Sequence, residues 1–227
     1  MNAEFDAVAS DYDEQLNRGL SLSGETKDYF AEGRMRWLRQ RLLEFGVTPS
    51  SALDFGCGTG TATPWFFDVL GVQELTGCDP SEESLKVAAT LYGGKFPVRF
   101  CQADEEASER VDLAFCNGVF HHILPQDRAT AFAQVYRALR PNGVFAFWEN
   151  NPWNPGTRWA MSRVPFDADA IMIRPSEARG LLKAAGFRPL LTDFLFYFPR
   201  CLSALRVLEK ALVKLPLGGQ YLVLAQK

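Results

Sequence analysis

The chain has 227 residues, of which 47% are hydrophobic and 22% are charged, and its formal net charge at pH 7 is −3. This composition is ordinary for a water-soluble globular protein, and a chain of this length buries a large core without disulfide bonds. The slightly acidic balance disfavours a protein that binds nucleic acid through a basic face.

No segment approaches the roughly 20 consecutive apolar residues that cross a bilayer, and the first residues lack the order of a secretory signal. The five cysteines include no C-x-x-C pair, a pattern typical of reduced thiols. We therefore expect a cytoplasmic protein with no transmembrane segment.

The predicted elements alternate between strands and helices over most of the chain. A helical region over residues 1–48 precedes a strand at Ser51–Phe55, which a glycine-rich turn joins to a helix. Four more strands alternate with helices: Glu74–Asp79, Val98–Asp104, Val111–Val119 and Gly143–Asn150. Residues 151–174 interrupt this alternation, and two strand-like segments at 190–198 and 220–226 complete it. The pattern predicts a single α/β domain with a doubly wound, mainly parallel sheet.

The most informative motif is the turn after the first strand, Asp54-Phe55-Gly56-Cys57-Gly58-Thr59-Gly60. Three alternate glycines allow positive φ angles and a close approach of the backbone to a ligand. The spacing does not fit the dinucleotide fingerprint G-x-G-x-x-G, because Thr61 and Thr63 stand where its third glycine would be in either register. Asp54 would repel a pyrophosphate and favours a ligand with a cationic group, unless it only caps the loop.

Acidic residues also end the second and third predicted strands, as Asp79 and Asp104. In doubly wound sheets an acid at the first of these places accepts hydrogen bonds from ribose hydroxyls, although Asp79-Pro80-Ser81 is also consistent with a simple turn. The carboxyl ends of parallel strands meet at one edge of the sheet, so Asp54, Asp79 and Asp104 are predicted to converge on one crevice.

These motifs resemble the class I S-adenosylmethionine-dependent methyltransferases of the small-molecule type, from about Phe5 to the C-terminus. The resemblance implies a Rossmann-like, doubly wound sheet of seven strands, mostly parallel with an antiparallel C-terminal strand, and S-adenosyl-L-methionine as the cofactor. It also implies a helical lid over residues 1–48. Separately, the aromatic and arginine residues of the insertion over residues 151–174 predict that it covers the substrate. The cofactor-binding residues that the resemblance implies are Tyr12 in a lid motif F-D-x-x-A-x-x-Y-D, Asp54, Gly56, Cys57, Gly58, Gly60, Asp79, Pro80, Ala103, Asp104, Asn117 and Gly118.

His121 and His122 are the only histidines and follow the fourth predicted strand, next to where a methyl group would be transferred. At most one of two adjacent side chains on a helical turn should face the pocket, and we expect His122 to be a base or a hydrogen-bonding group for substrate. The alternative is a structural histidine without a role in proton transfer. A metal site is not expected, because two adjacent histidines lack further ligands at a suitable spacing.

Further residues on the acceptor side are predicted to bind substrate. Aromatic side chains can form the wall of an apolar pocket, and arginines can hold a carboxylate or phosphate. The alternatives are turn formation, core packing and solvated arginines. The predicted substrate-binding residues are His121, Glu149, Asn151, Trp153, Arg158 and Arg163.

The function that we expect is transfer of a methyl group to oxygen, nitrogen or carbon of a small-molecule acceptor, by a monomer or homodimer without a nucleic-acid partner. A non-catalytic S-adenosylmethionine-binding protein is one alternative, and methylation of RNA or protein is another. Asn117-Gly118-Val119-Phe120 stands where amino-methylating enzymes often carry an N-P-P-Y tetrapeptide, which disfavours that chemistry. A nicotinamide oxidoreductase is disfavoured by the missing third glycine and by Asp54.

Overall fold

The computed structural model describes residues 23–102, 110–167 and 169–227. The predicted cofactor residues Tyr12, Ala103 and Asp104 lie outside the described residues, as does the part of the predicted lid before residue 23. Within the described ranges, no helix is both long enough and apolar enough to cross a membrane.

The strands are β1 (Ser51–Phe55), β2 (Glu74–Cys78), β3 (Val98–Cys101), β4 (Val111–Asn117), β5 (Leu139–Asn150), β6 (Arg188–Leu195) and β7 (Gln220–Gln226). These seven strands form one sheet in the order β3-β2-β1-β4-β5-β7-β6. Neighbours from β3 to β5 pair in parallel, whereas β7 pairs antiparallel with both β5 and β6. This topology confirms the predicted fold, including the single antiparallel C-terminal strand.

Helices lie between most of the strands in the described ranges. They are α1 (Lys27–Glu44), α2 (Thr63–Trp65, continued by a π-helical turn at Phe66–Leu70), α3 (Glu82–Tyr92), α4 (Arg128–Ala138), α5 (Pro155–Met161), α6 (Pro175–Ala184) and α7 (Glu209–Leu212), with 3₁₀ segments at Pro165–Asp167 and Arg200–Leu208. The side chain of Thr26 caps α1 and that of Ser81 caps α3, each accepting a hydrogen bond from a backbone N–H of the first turn.

Two hydrophobic clusters pack against opposite faces of the sheet. In β5, Phe145 and Phe147 belong to one cluster, with α4 and α6, whereas Ala146 and Trp148 belong to the other, with α1 and the π-helical turn. Successive side chains of a strand point to opposite faces, so a central strand covered on both sides needs a continuous apolar run. This requirement explains why every residue from Val144 to Trp148 is apolar. It also explains why the segment could be predicted as a strand.

The observed bounds differ most from the predicted ones at the start of β5. Pairing begins at Leu139, opposite Val111, instead of at Gly143. Asn142 then adopts a left-handed conformation (φ 65°), and the register with β4 shifts between Val111 and Leu113. The predicted turn at Pro141-Asn142-Gly143 is therefore an irregularity within the strand.

Candidate active site

The glycine-rich turn follows β1 and leaves a hollow beside its backbone. Gly56 has φ +75°, and a Cβ there would lie 2.4 Å from Cγ2 of Val119, so close packing excludes a side chain. Gly58 also has a positive φ, +51°, but a Cβ there would meet nothing within 4 Å. One glycine is thus required by packing, whereas the other faces open space in which a ligand can approach the backbone.

Asp79 ties this turn to the end of β2. Its Oδ2 accepts a hydrogen bond from the N–H of Gly58 (2.8 Å), and its Oδ1 accepts one from the N–H of Ser81 (2.9 Å). The carboxylate of Asp79 therefore stabilises both the glycine turn and the turn that leads into α3. Pro80 lies between Asp79 and Ser81 in this second turn. The structure brings Asp79 and Gly58 together, as the predicted cofactor site requires.

Asp54 and Cys57 are the two titratable residues within the turn. Burial of Asp54, together with the charge of Asp79, raises the pKa of its carboxyl to about 7, although Arg34 acts in the opposite direction. A cationic ligand group beside Asp54 would draw it back to the ionised form. Burial raises the pKa of the Cys57 thiol, and the nearby carboxylates of Asp54 and Asp79 raise it further. Cys57 is therefore a neutral thiol and not a nucleophile.

A cavity of about 570 Å³ lies at the carboxyl ends of β4 and β5. Gln220 is one of its polar lining residues. The Nε2 of Gln220 donates a hydrogen bond to Oδ1 of Asn150 (3.1 Å), and its Oε1 accepts one from Nη1 of Arg34 (2.9 Å). Much of the remaining wall is apolar. The aromatic residues that line it are Tyr29, Phe30, Phe196, Tyr197 and Phe198.

The cavity and the glycine turn meet at the end of β4. Asn117 and Gly118 line the cavity, and the next residue, Val119, packs against Gly56. A second connection is made by Lys27, a cavity-lining residue whose Nζ donates to Oγ1 of Thr61 (3.4 Å), just after the turn. Ligands on the turn and in the cavity would therefore be neighbours.

Both histidines line the cavity, which differs from the expectation that at most one would. They lie on a tight turn after β4 and not on a regular helix, with ring centroids 4.2 Å apart. His121 is more deeply buried than His122. The 100° separation expected for neighbours on a helix does not apply to this turn.

The surroundings of the two rings give them different charge states. Burial lowers the pKa of His121, but Glu149 and Asp167 outweigh it and raise the pKa to about 10. Nδ1 of His121 lies 2.6 Å from Oε2 of Glu149. For His122, burial and the charge of His121 lower the pKa to about 4, so the ring is neutral near pH 7.

Asp167, which the sequence did not single out, completes this group. Its Oδ1 lies 3.4 Å from Nε2 of His122 and 3.6 Å from Nε2 of His121. The expectation that the histidines lack a further ligand-type neighbour was therefore wrong. No local pattern could have identified Asp167, because the 3₁₀ segment after α5 brings it to the histidines from far along the chain.

Glu149 and Asn151 depart from their predicted role in substrate binding. Both side chains are fully buried, and they form hydrogen bonds with backbone groups instead of lining the cavity. Glu149 accepts hydrogen bonds from the N–H groups of Phe120 (2.8 Å) and His121 (3.3 Å). Asn151 donates to the carbonyl of Gly218 (2.8 Å). Their positions at the end of β5 suit them to ordering the neighbouring turns.

Trp153, Arg158 and Arg163 also lie away from the cavity wall, and all three are exposed. The guanidinium of Arg163 lies 5.0 Å from the ring centroid of Trp159. The predicted insertion over residues 151–174 does line the cavity, but through the other face of α5 and the loop after it. Its lining residues are Asn154, Gly156, Thr157, Ala160, Met161, Val164 and Asp167.

Comparison with known proteins identifies mainly methyltransferases. Residues 53–147 match the family model described as a methyltransferase domain. An O-methyltransferase of Penicillium expansum is 29% identical over 161 residues, which cover 64% of this chain and 56% of that protein. A trans-aconitate 2-methyltransferase of Azoarcus sp. is 32% identical over 121 residues, 52% of this chain and 46% of that protein. The chain thus spans about half the length of these curated relatives.

A solved structure shares the fold over the whole chain. The crystal structure of Burkholderia thailandensis 1,6-didemethyltoxoflavin-N1-methyltransferase, with 1,6-didemethyltoxoflavin and S-adenosylhomocysteine bound, has a TM-score of 0.61 and 24% identity. The match covers 100% of this chain and 90% of that one. Residues 53–147 thus match a methyltransferase domain, and the strand order and the glycine turn at Asp54–Gly60 agree with the class I S-adenosylmethionine-dependent methyltransferase fold that the sequence motifs predicted.

Proposed function

We propose that this chain transfers the methyl group of S-adenosylmethionine to a small-molecule acceptor bound in the cavity. The junction at the end of β4 carries this proposal, because Asn117 and Gly118 line the cavity while Val119 packs against Gly56 of the glycine turn. An acceptor in the cavity would therefore lie next to a cofactor on the turn. The volume, about 570 Å³, suits a small molecule.

The residues of the glycine turn fit the cofactor. Open space beside Gly58 admits a ligand to the backbone, the buried Asp54 favours a cationic ligand group, and Asp79 stands at the end of β2 where an acid can accept hydrogen bonds from ribose hydroxyls. When bound, the cofactor supplies a methyl group on a positively charged sulfur, which is already reactive. The protein then has mainly to align the acceptor and exclude water.

The cavity wall supports both tasks. The aromatic side chains and Met161 would cover an acceptor, and the amides of Asn117, Asn150 and Gln220 can orient its polar groups. His122 faces the same space, which supports its predicted role as a base or hydrogen-bonding group for the acceptor. A mostly apolar, partly aromatic enclosure favours a compact acceptor over a polymer, in agreement with the small acceptor in the name of the Azoarcus relative.

The cofactor half of the proposal can be tested with a matched pair of glycine variants. Gly58 and Gly46 both have positive φ, and a Cβ at either position would meet nothing within 4 Å, so both alanine variants carry similar backbone strain. Only Gly58 lies in the glycine turn. In calorimetry with S-adenosylmethionine and S-adenosylhomocysteine, Gly58→Ala should lose at least about tenfold in affinity, whereas Gly46→Ala should bind like the wild type. Equal binding by the two variants, or tight binding of NAD by the wild type, would contradict the cofactor assignment.

The acceptor half is tested by the release of S-adenosylhomocysteine with a panel of small carboxylic acids, phenols and nitrogen heterocycles. Bulk RNA and a mixture of unfolded proteins serve as competing acceptors. We expect turnover with a member of the small-molecule panel. Methylation of RNA or protein, without turnover of any small molecule, would overturn this part of the proposal.

A further inference from the structure

Beside the acceptor cavity, the structure brings together three side chains of the kinds that bind transition metals. A ligand atom from each of His121, His122 and Asp167 lies within 4.8 Å of the other two. All three residues line the cavity, and the side chains of His121 and Asp167 are largely buried. Surface clusters of acids are common without a cation, but a largely buried group of two imidazoles and one carboxylate is not of that kind.

The separations between Asp167 and the two histidines also suit a shared cation. Oδ1 of Asp167 lies 3.4 Å from Nε2 of His122 and 3.6 Å from Nε2 of His121. Charge-assisted N–H···O hydrogen bonds are usually about 2.7–2.9 Å long. Tetrahedral zinc has N and O ligands at about 2.0–2.2 Å, which places neighbouring ligand atoms about 3.3–3.6 Å apart. Both measured distances fall in that second range.

A buried carboxylate holds one histidine in the orientation that a metal ligand needs. Oε2 of Glu149 lies 2.6 Å from Nδ1 of His121, so that Nε2 faces Asp167. Glu149 is itself held by the N–H of Phe120. Metal-ligating histidines commonly donate their other ring N–H to a carboxylate, which fixes the tautomer and the ring orientation. A bound cation would displace the proton that the high pKa of His121 otherwise keeps on that ring.

From this geometry we propose that His121 Nε2, His122 Nε2 and a carboxylate oxygen of Asp167 bind a divalent transition-metal cation of the zinc type, with its fourth position open to the cavity. Three protein ligands and one open position are typical of catalytic rather than structural zinc sites. The open position can hold water or, if the proposed methyl transfer is correct, an oxygen or nitrogen of the acceptor. Only that last step rests on the proposed function, since binding of the cation does not require an acceptor.

This site gives His122 a role different from that of a base. With Nε2 bound to a cation, the ring has no lone pair with which to accept a proton from the acceptor. The two roles are therefore alternatives, and metal binding distinguishes between them.

The test uses the full chain without a histidine tag, titrated with Co²⁺ as a spectroscopic substitute for Zn²⁺. We expect one Co²⁺ per chain, visible absorption bands of tetrahedral cobalt, and loss of these bands when one equivalent of Zn²⁺ is added. Asp167→Asn and His122→Gln should each weaken binding at least about tenfold, and Glu149→Gln should weaken it about 10- to 100-fold. Asp169→Asn is the matched control, because Asp169 is a nearby exposed acid that does not line the cavity, and it should bind like the wild type.

Three results would overturn the site. They are the absence of stoichiometric metal uptake by the wild type, unchanged affinity in folded Asp167→Asn, and a cobalt–thiolate charge-transfer band that identifies cysteine ligands. Circular dichroism verifies the fold of each variant. Calorimetry with S-adenosylhomocysteine on the same samples tests the cofactor turn separately, so failure of the metal site and failure of the proposed methyl transfer give different results.

Discussion

The buried carboxyl of Asp54 should make the stability of this protein depend on pH, and one substitution isolates that dependence. Burial and the charge of Asp79 raise its pKa to about 7, compared with 3.8 for the unperturbed group. Between these values the folded protein keeps a proton that the unfolded chain has lost. The free energy of unfolding should therefore fall as the pH rises through this interval.

The size of the effect follows from the same two values. Each pKa unit corresponds to about 1.36 kcal/mol, so a rise of about three units amounts to about 4 kcal/mol over the whole interval. Integration between pH 5 and pH 8 gives about 2.5 kcal/mol of this total. The amide in Asp54→Asn cannot ionise, so the variant lacks this pH-dependent contribution to stability. The stability of the variant relative to the wild type should therefore increase by about 2.5 kcal/mol from pH 5 to pH 8.

Urea unfolding, followed by circular dichroism at pH 5, 6, 7 and 8, measures this difference. The other titrating groups contribute to both proteins and largely cancel. Any pH-independent effect of the new amide changes the offset but not the slope. Asp68→Asn is the control for the loss of one carboxyl group, because Asp68 is an exposed acid on the helix that follows the glycine turn. The slope for Asp54→Asn is compared with the slope for this variant. A flat profile for Asp54→Asn would refute the argument that burial holds the proton on Asp54.

The same substitution should also weaken cofactor binding, because the amide cannot supply the negative charge that a cationic ligand group favours. Asp54→Asn is thus expected to gain stability relative to the wild type as the pH rises to 8 and to bind S-adenosylmethionine less tightly there. Calorimetry at pH 8 measures the second effect. Tighter or unchanged binding would remove Asp54 from the cofactor site.

Two further predictions concern other carboxylates. Asp79→Ala should weaken S-adenosylhomocysteine binding by about 1–3 kcal/mol in calorimetry, through lost ribose hydrogen bonds and a looser glycine turn, and an unchanged dissociation constant in the folded variant would count against the site. Burial tends to raise the pKa of Asp112, but four hydrogen bonds from two adjacent serines outweigh it and hold the pKa at about 2. The stability that Asp112 contributes is therefore present above pH 3.8 and lost as the pH falls through about 2. Asp112→Ala should cost about 1–2 kcal/mol in urea unfolding at pH 7, and a loss of similar size at pH 2 would contradict this reasoning.

Local sequence patterns determined most of the fold and the cofactor half of the site. The bounds of β1 and β7 match the predicted ones, because a strand buried on both faces is a continuous apolar run ended by turn residues. The glycine turn could also be predicted from the sequence, because positive φ angles at closely spaced positions require glycine. The position of Asp79 followed from the rule that the carboxyl ends of parallel strands share one edge.

Only the tertiary structure showed which residues form the part of the site that would bind the methyl acceptor. The cavity is lined by the start of α1, one face of α5 and the segment that follows β6, and these segments meet through long connections that carry no periodic signal. For the same reason the sequence could not show that Asp167 meets the two histidines, or that Glu149 supports His121 from within the core. Trp153, Arg158 and Arg163 have the residue types of a binding site but lie away from the cavity wall. Of the three, only Arg158 is within α5, and the side of that helix that faces the cavity carries other residues.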